Sequence, residues 1–270
     1  MKKYLKALVF VLVYIILPIS INIGMLQLIK NVGWINSMRE TTPTSAFLIL
    51  DPVSITALLL LVKFVRKENP ITFAKFKAIS MTNGLICAGL GLALAMFTSS
   101  ILKVDAFKSS VEPIGGSIDW IIGGNIILVI LVTLINNFYK ELCFRGLAFN
   151  EMSRVIPAGV ALVVQATFYA SELVYFQNPV SAVIYAFSGQ LVFGIIYYFG
   201  GSIWSSFITQ VCCTMGLILF KRTGLSGLFT SGSSLVLFII SILLTLIMLV
   251  VLYRVSKNQN SSKMTGLPSA

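Results

Sequence analysis

Eight apolar runs, each long enough to cross a bilayer, leave this chain little choice of fold. They fall at about 7–29, 45–65, 77–99, 119–139, 155–172, 180–198, 202–220 and 233–253, and a helix needs roughly 20 mostly apolar residues to span the hydrocarbon core. Inside lipid, every backbone N–H and C=O must be satisfied within the protein, so runs of this kind are helices. Composition agrees. Of 270 residues, 57% are hydrophobic and 11% charged, against about 25% charged in soluble domains, and the mean hydropathy is +0.94. The expected fold is all-α, a polytopic membrane bundle of about eight transmembrane helices. The start, Met1-Lys2-Lys3-Tyr4-Leu5-Lys6, imitates a signal peptide. The run behind it is too long for a signal h-region and lacks a small-x-small cleavage site, so it reads as the first membrane helix.

The net charge of +11 does not indicate nucleic acid. The cations are strung between apolar runs, with no basic stripe interleaved with aromatics; they suit topology signals and lipid headgroups. With the N-terminus inside, 14 of the 20 Lys and Arg fall in inner connections and 6 (Lys30, Arg39, Lys103, Lys108, Lys221 and Arg222) in outer ones. That bias places both termini on the cytoplasmic side. Domain organisation follows as three N-terminal helices with their loops (1–118), a core (119–220), a last membrane helix (221–253) and a disordered cytoplasmic tail (254–270). The connection 100–118 is expected as a short surface segment.

Histidine is absent, which removes the commonest metal ligand and general base. Cys87, Cys143, Cys212 and Cys213 all lie within or at the end of apolar runs, so a disulfide framework or a zinc site is not expected. Three acidic residues stand out: Asp51 before Pro52 in the second run, Glu141 after the fourth, and Glu172 ending the fifth. Asp51 reads as a proline-kinked helix start. Ionisable groups at membrane depth cost roughly 2.5–3.5 kcal/mol on insertion scales and are kept for a partner or a function. Glu141 and Arg145 are spaced i, i+4, so on a helix they can pair; alternatively, Arg145 snorkels to the headgroups.

The order of polar residues here resembles a known family. Lys140-Glu141-Leu142-Cys143-Phe144-Arg145-Gly146 resembles the Glu-Glu-x-x-x-Arg motif of the CPBP membrane proteins, which include CAAX-processing endopeptidases and Abi-type proteins of bacteriocin processing and self-immunity. Phe168-x-x-x-Glu172 stands where that family has Phe-x-x-x-His. Gly201-Ser202-Ile203-Trp204 followed by Gln210-x-x-x-Thr214 stands where it has His-x-x-x-Asn or Asp. The resemblance covers roughly 119–220 and implies a bacterial cytoplasmic membrane.

The departures fall on the positions that do chemistry. In protease members, the resemblance implies, the first glutamate and the second-motif histidine activate water. The third-motif histidine and its partner organise the oxyanion. Those positions are Lys140, Glu172, Gln210 and Thr214 here. A lysine with an ordinary pKa near 10.4 is no carboxylate base, and Gln210 can donate a hydrogen bond but cannot shuttle a proton. Lys140 and Glu172 suggest a retained bridge of inverted polarity. Glu141, Glu172 and Gln210 would suit magnesium or calcium better than zinc, but Lys140 and Arg145 oppose a cation, so neither metal nor cofactor is expected. The leading expectation is a catalytically silent CPBP-like module that binds or regulates a membrane-protein or peptide partner, or confers self-immunity, among membrane lipids. Two alternatives stand beside it: an intramembrane endopeptidase using Glu141 and Glu172 as catalytic residues, and a transporter lined by Lys140, Glu172 and Asp51.

Overall fold

The computed structural model describes residues 2–175 and 180–265, except for the side chains of Lys108, 172–175, Ser226, Ser231 and 260–265. The described residues form helices and no strand. In chain order these are α1 (Lys2–Ile29), α2 (Gly33–Thr41), α3 (Phe47–Leu60), α4 (Pro70–Phe73), α5 (Met81–Ile101), α6 (Lys108–Ile122), α7 (Ile126–Lys140), α8 (Asn150–Ser153), α9 (Ala158–Tyr175), α10 (Val180–Gly200), α11 (Ile203–Arg222) and α12 (Ser231–Thr265). Two π-helical segments, Leu61–Arg66 and Glu141–Phe149, continue α3 and α7. Seven helical runs are long and apolar enough to cross a membrane: Lys2–Ile29, Pro43–Val65, Met81–Ile101, Ile126–Ser153, Val180–Gly200, Ile203–Arg222 and Gly232–Gln259; Ala158–Ser171 is a shorter apolar stretch. The chain is an integral membrane protein of the all-α polytopic class, with α9 in the place of the fifth expected span (155–172).

Helix ends follow local chemistry. Asn125 caps α7, its side chain accepting from the amides of Ile127 and Leu128 at 3.0 and 3.3 Å. Ser80 accepts from Asn83 N–H at 3.2 Å at the start of α5, and Ser202 accepts from Trp204 N–H at 3.3 Å. Such caps satisfy amides that have no partner within the helix. Gly201, with φ +65°, makes the turn before that cap.

The fourth span is displaced from its expected place. The chain breaks between α6 and α7, and the membrane helix runs 126–153 rather than 119–139. Gly124, at φ +94°, makes the break and sits against Thr41 and Thr42 with no room for a Cβ; Asn125 N–H donates to the Thr42 hydroxyl at 2.9 Å. The connection expected as a surface segment is mostly helix α6, whose Val111, Ile114, Ile118 and Ile122 are buried. That three- and four-residue spacing is one apolar face.

The chain divides into two compact units. Residues 1–76 and 113–191 form the first. In it, Ser54 of α3 donates to Asn22 of α1 at 3.1 Å, and the Cys143 thiol donates to the Tyr14 carbonyl at 3.3 Å. Near the ends of α1 and α3, Ile29, Ile35, Ala46 and Leu50 form a buried cluster.

Residues 77–112 and 192–270 form the second unit, where Cys87, Leu90, Phe193, Ile196 and Leu252 make the core. Gly91 of α5 lies directly against the α11 backbone, and Gly216 of α11 faces Ala95 of α5. Tyr197 is fully buried, while Tyr198 is exposed. The chain beyond Tyr253, expected as disordered tail, continues α12 as helix to Thr265. Side chains hold it: Asn83 donates to Ser256 and Gln259 at 3.4 and 3.3 Å, and Gln259 donates to Ser80 at 2.9 Å.

Candidate functional site

The motif Lys140–Gly146 lies where α7 passes into the nine-residue π-helix Glu141–Phe149. All nine residues of that segment are buried. π-Helical turns are rare and concentrate at functional sites; an α-helical continuation would have been the expectation from spacing alone. Glu141 and Arg145 both have 0% exposed side chains, and their Oε1 and Nη1 atoms are 3.4 Å apart. Of the two readings of Arg145, the bridge holds and the snorkel does not. Its Nη2 also donates to the Gln190 carbonyl of α10 at 3.3 Å, and Gln165 of α9 donates to the same carbonyl at 3.1 Å. A charge this deep is tolerated only with a counter-charge and hydrogen bonds around it.

Lys140 is half-buried, with Nζ 5.9 Å from the ring centroid of Tyr169. That ring meets Phe144 edge-on at 5.1 Å, so α9 lies against the motif. Glu172 lies further along the same helix, but its side chain is outside the described residues, and its expected bridge to Lys140 is with it. Gln210 and Thr214 belong to the second unit. Gln210 is buried, its amide oxygen without a hydrogen bond among the described residues. The Thr214 hydroxyl donates to the Gln210 carbonyl one turn earlier at 3.1 Å. Among the described residues, no group of three or more His, Cys, Asp or Glu is placed to hold a metal.

Asp51 is not at a helix start. It lies inside α3, fully buried, accepting from Asn136 of α7 at 2.8 Å. Asn136, Gln165 and Gln190 were not singled out by sequence reasoning. The only signal was a polar amide within an apolar run, a composition that also fits ordinary helix packing.

Four charges expected to mark topology or remain unassigned form a network at the end of the first unit. Arg66 reaches Glu151 at 3.2 Å and Glu68 at 3.1 Å, and Arg154 reaches Glu68 at 2.7 Å. Arg154 also lies over the Phe73 ring at 4.5 Å, a cation–π arrangement. The hydrogen bond from Arg154 holds the Glu68 carboxyl below its ordinary range. A lowered folded-state pKa stabilises the fold above the unfolded value of about 4.3, and this contribution is lost as pH falls below it. The pair is largely solvent-facing, so Glu68→Gln should cost only about 0.2–1 kcal/mol. The deficit should be full at pH 7 and fade below pH about 4 in paired thermal melts of variant and parent.

Residues 122–216 match the family model of type II CAAX prenyl endopeptidase Rce1-like proteins. The match covers about a third of the chain and contains all three motif positions. The similarity is to a family of membrane endopeptidases, and it spans the region whose polar residues resemble the CPBP motifs. No curated protein and no solved structure matches the chain.

Proposed function

We propose that this CAAX-protease-like membrane protein is catalytically silent and uses its motif region to bind and regulate a membrane or cell-envelope partner, self-immunity being one such use. The observation that carries the reading is Lys140 at the place of the motif's first glutamate, half-buried with its Nζ 5.9 Å from the Tyr169 ring centroid, beside a Glu141 buried against the Arg145 guanidinium. A base for water activation needs a carboxylate able to accept a proton at a wet site; here a lysine precedes Glu141 and an arginine neutralises it. The reading places the protein in a bacterial cytoplasmic membrane with both termini inside. That topology requires α9 to cross as an eighth span, and the basic-residue bias supports it.

The endopeptidase reading keeps one support, the family model itself. Both are tested with the full chain in liposomes. Incubation with a farnesylated peptide ending in a CAAX sequence should give no shortened product by mass spectrometry. Cross-linking in native membranes should recover the same partner repeatedly. Cleavage that disappears in Glu141→Gln or Glu172→Gln would establish the endopeptidase instead.

A further inference from the structure

A second site lies away from the motif, at the end of the first unit where α2 connects α1 to α3. Because α1 and α3 are spans, the nine-residue α2 between them sits at a membrane surface. It buries Ile35 and exposes Trp34 at 62%. Opposite it lies the break between α6 and α7, held by Gly124 against Thr41 and Thr42. That contact brings Trp120, in the last turn of α6, across from the end of α2. Trp120 is braced edge-on by Phe47 at 6.3 Å and remains 49% exposed. Between them is an open cleft of about 440 Å³ lined by Asn36, Arg39, Glu40, Pro43 and Trp120.

The lining carries both charges side by side. Neither Arg39 nor Glu40 forms an ion pair among the described residues. Elsewhere in this unit Arg66, Glu68, Glu151 and Arg154 are all paired. Asn36 donates through its Nδ2 to the Lys30 carbonyl at 2.6 Å, and its amide oxygen remains an acceptor. One guanidinium suits a phosphate. One carboxylate, an amide oxygen and an indole face suit a primary ammonium. The groups line a single small cleft at a membrane surface.

We infer that the Arg39–Glu40–Trp120 cleft binds the zwitterionic headgroup of an aminophospholipid, phosphate toward Arg39 and ammonium toward Glu40, Asn36 and Trp120. The site is independent of the motif region and of the proposed silence there. The chemistry is that of a phosphoethanolamine group, which a bilayer lipid or a soluble headgroup could supply.

Full-length protein is equilibrated in mixed micelles of phosphatidylethanolamine, phosphatidylglycerol and phosphatidylcholine, and retained lipid is read by native mass spectrometry. Phosphatidylethanolamine should be retained at least about fivefold over the other two. Arg39→Ala should reduce retention of both phosphatidylethanolamine and phosphatidylglycerol. Glu40→Ala should leave phosphatidylglycerol unchanged and abolish the preference for the amine. Both positions are exposed enough to leave folding intact, which an unchanged melting temperature verifies. Glycerophosphoethanolamine forms the second arm: retention of it alone, lost in both variants, upholds the headgroup chemistry and moves its source to solution. Equal retention of the three lipids, or a preference that survives Glu40→Ala, overturns the assignment.

Discussion

Arg145→Met should destabilise the first unit by about 3–5 kcal/mol, the cost of leaving one member of a buried ion pair without its partner. Methionine fills much of the same volume, so little of the loss would come from a cavity. What remains is Glu141, fully buried at 3.4 Å from a cation no longer there, and the Gln190 carbonyl reduced to the Gln165 donor. Removing both charges is a different experiment. Glu141→Leu with Arg145→Met takes away the two desolvation penalties together, and such replacements are often neutral or stabilising. The double variant should therefore recover most of the stability that the single variant loses, a strongly non-additive result. Unfolding midpoints in a detergent titration measure both. Additive losses would mean that Arg145 stabilises through groups other than Glu141. If the double variant is stable, it also separates structure from chemistry, because any activity that survives it cannot use Glu141.

This pair shows how far the sequence could be read. The spacing of Glu141 and Arg145 allowed a bridge but left snorkelling open beside it, and the apolar run before them announced depth, because both properties are local. The π-helical turn was not legible. A shift to i→i+5 hydrogen bonding is decided by what surrounds the helix, and nine consecutive buried residues reflect neighbours from α1, α8 and α9 rather than any residue within the segment. Asp51 met the same limit. Its partner Asn136 lies 85 positions away, and a carboxylate beside a proline reads locally as a helix start. Ser202 was different, since a cap is chemistry between near neighbours and the seventh expected run begins at 202, where α11 is capped; Asn125, which caps α7, lay inside the expected fourth run. Beyond Tyr253, polar composition argued for disorder. The helix persists because Ser256 and Gln259 find partners on α5, a tertiary fact that composition does not carry.

The second large effect is expected in the other unit, at Gly91. A Cβ added there would fall on the Thr209 carbonyl, 2.6 Å from Cys212 Cβ and 2.8 Å from the Cys213 amide nitrogen. Two of these three are backbone atoms, so α11 itself would have to move. Gly91→Ala should cost about 1–3 kcal/mol, the usual range for overpacking, and Gly91→Val more, since its branched side chain meets the same wall. Two glycines on the same helix provide controls. Gly84 has only Ile79 Cδ1 within reach, at 3.9 Å, so Gly84→Ala should be neutral or gain up to about 1 kcal/mol from helix propensity. Gly89 faces the flexible end of Met248, which can swing aside, so its alanine variant should lie between. Small residues are what allow membrane helices to approach closely where lipid supplies no hydrophobic drive. The contact is also reciprocal: Gly216 on α11 meets Ala95 on α5 at 2.7 Å from a would-be Cβ. Ala95→Gly should therefore relieve part of the loss caused by Gly216→Ala while leaving Gly91→Ala uncorrected. Thermal melts of these five single variants and the Gly216→Ala, Ala95→Gly pair would give that order. A flat series would mean that α5 and α11 are not in backbone contact. Because α11 carries Gln210 and Thr214, the Gly91 contact fixes the third-motif positions to α5, and its variants should disturb them without touching either residue.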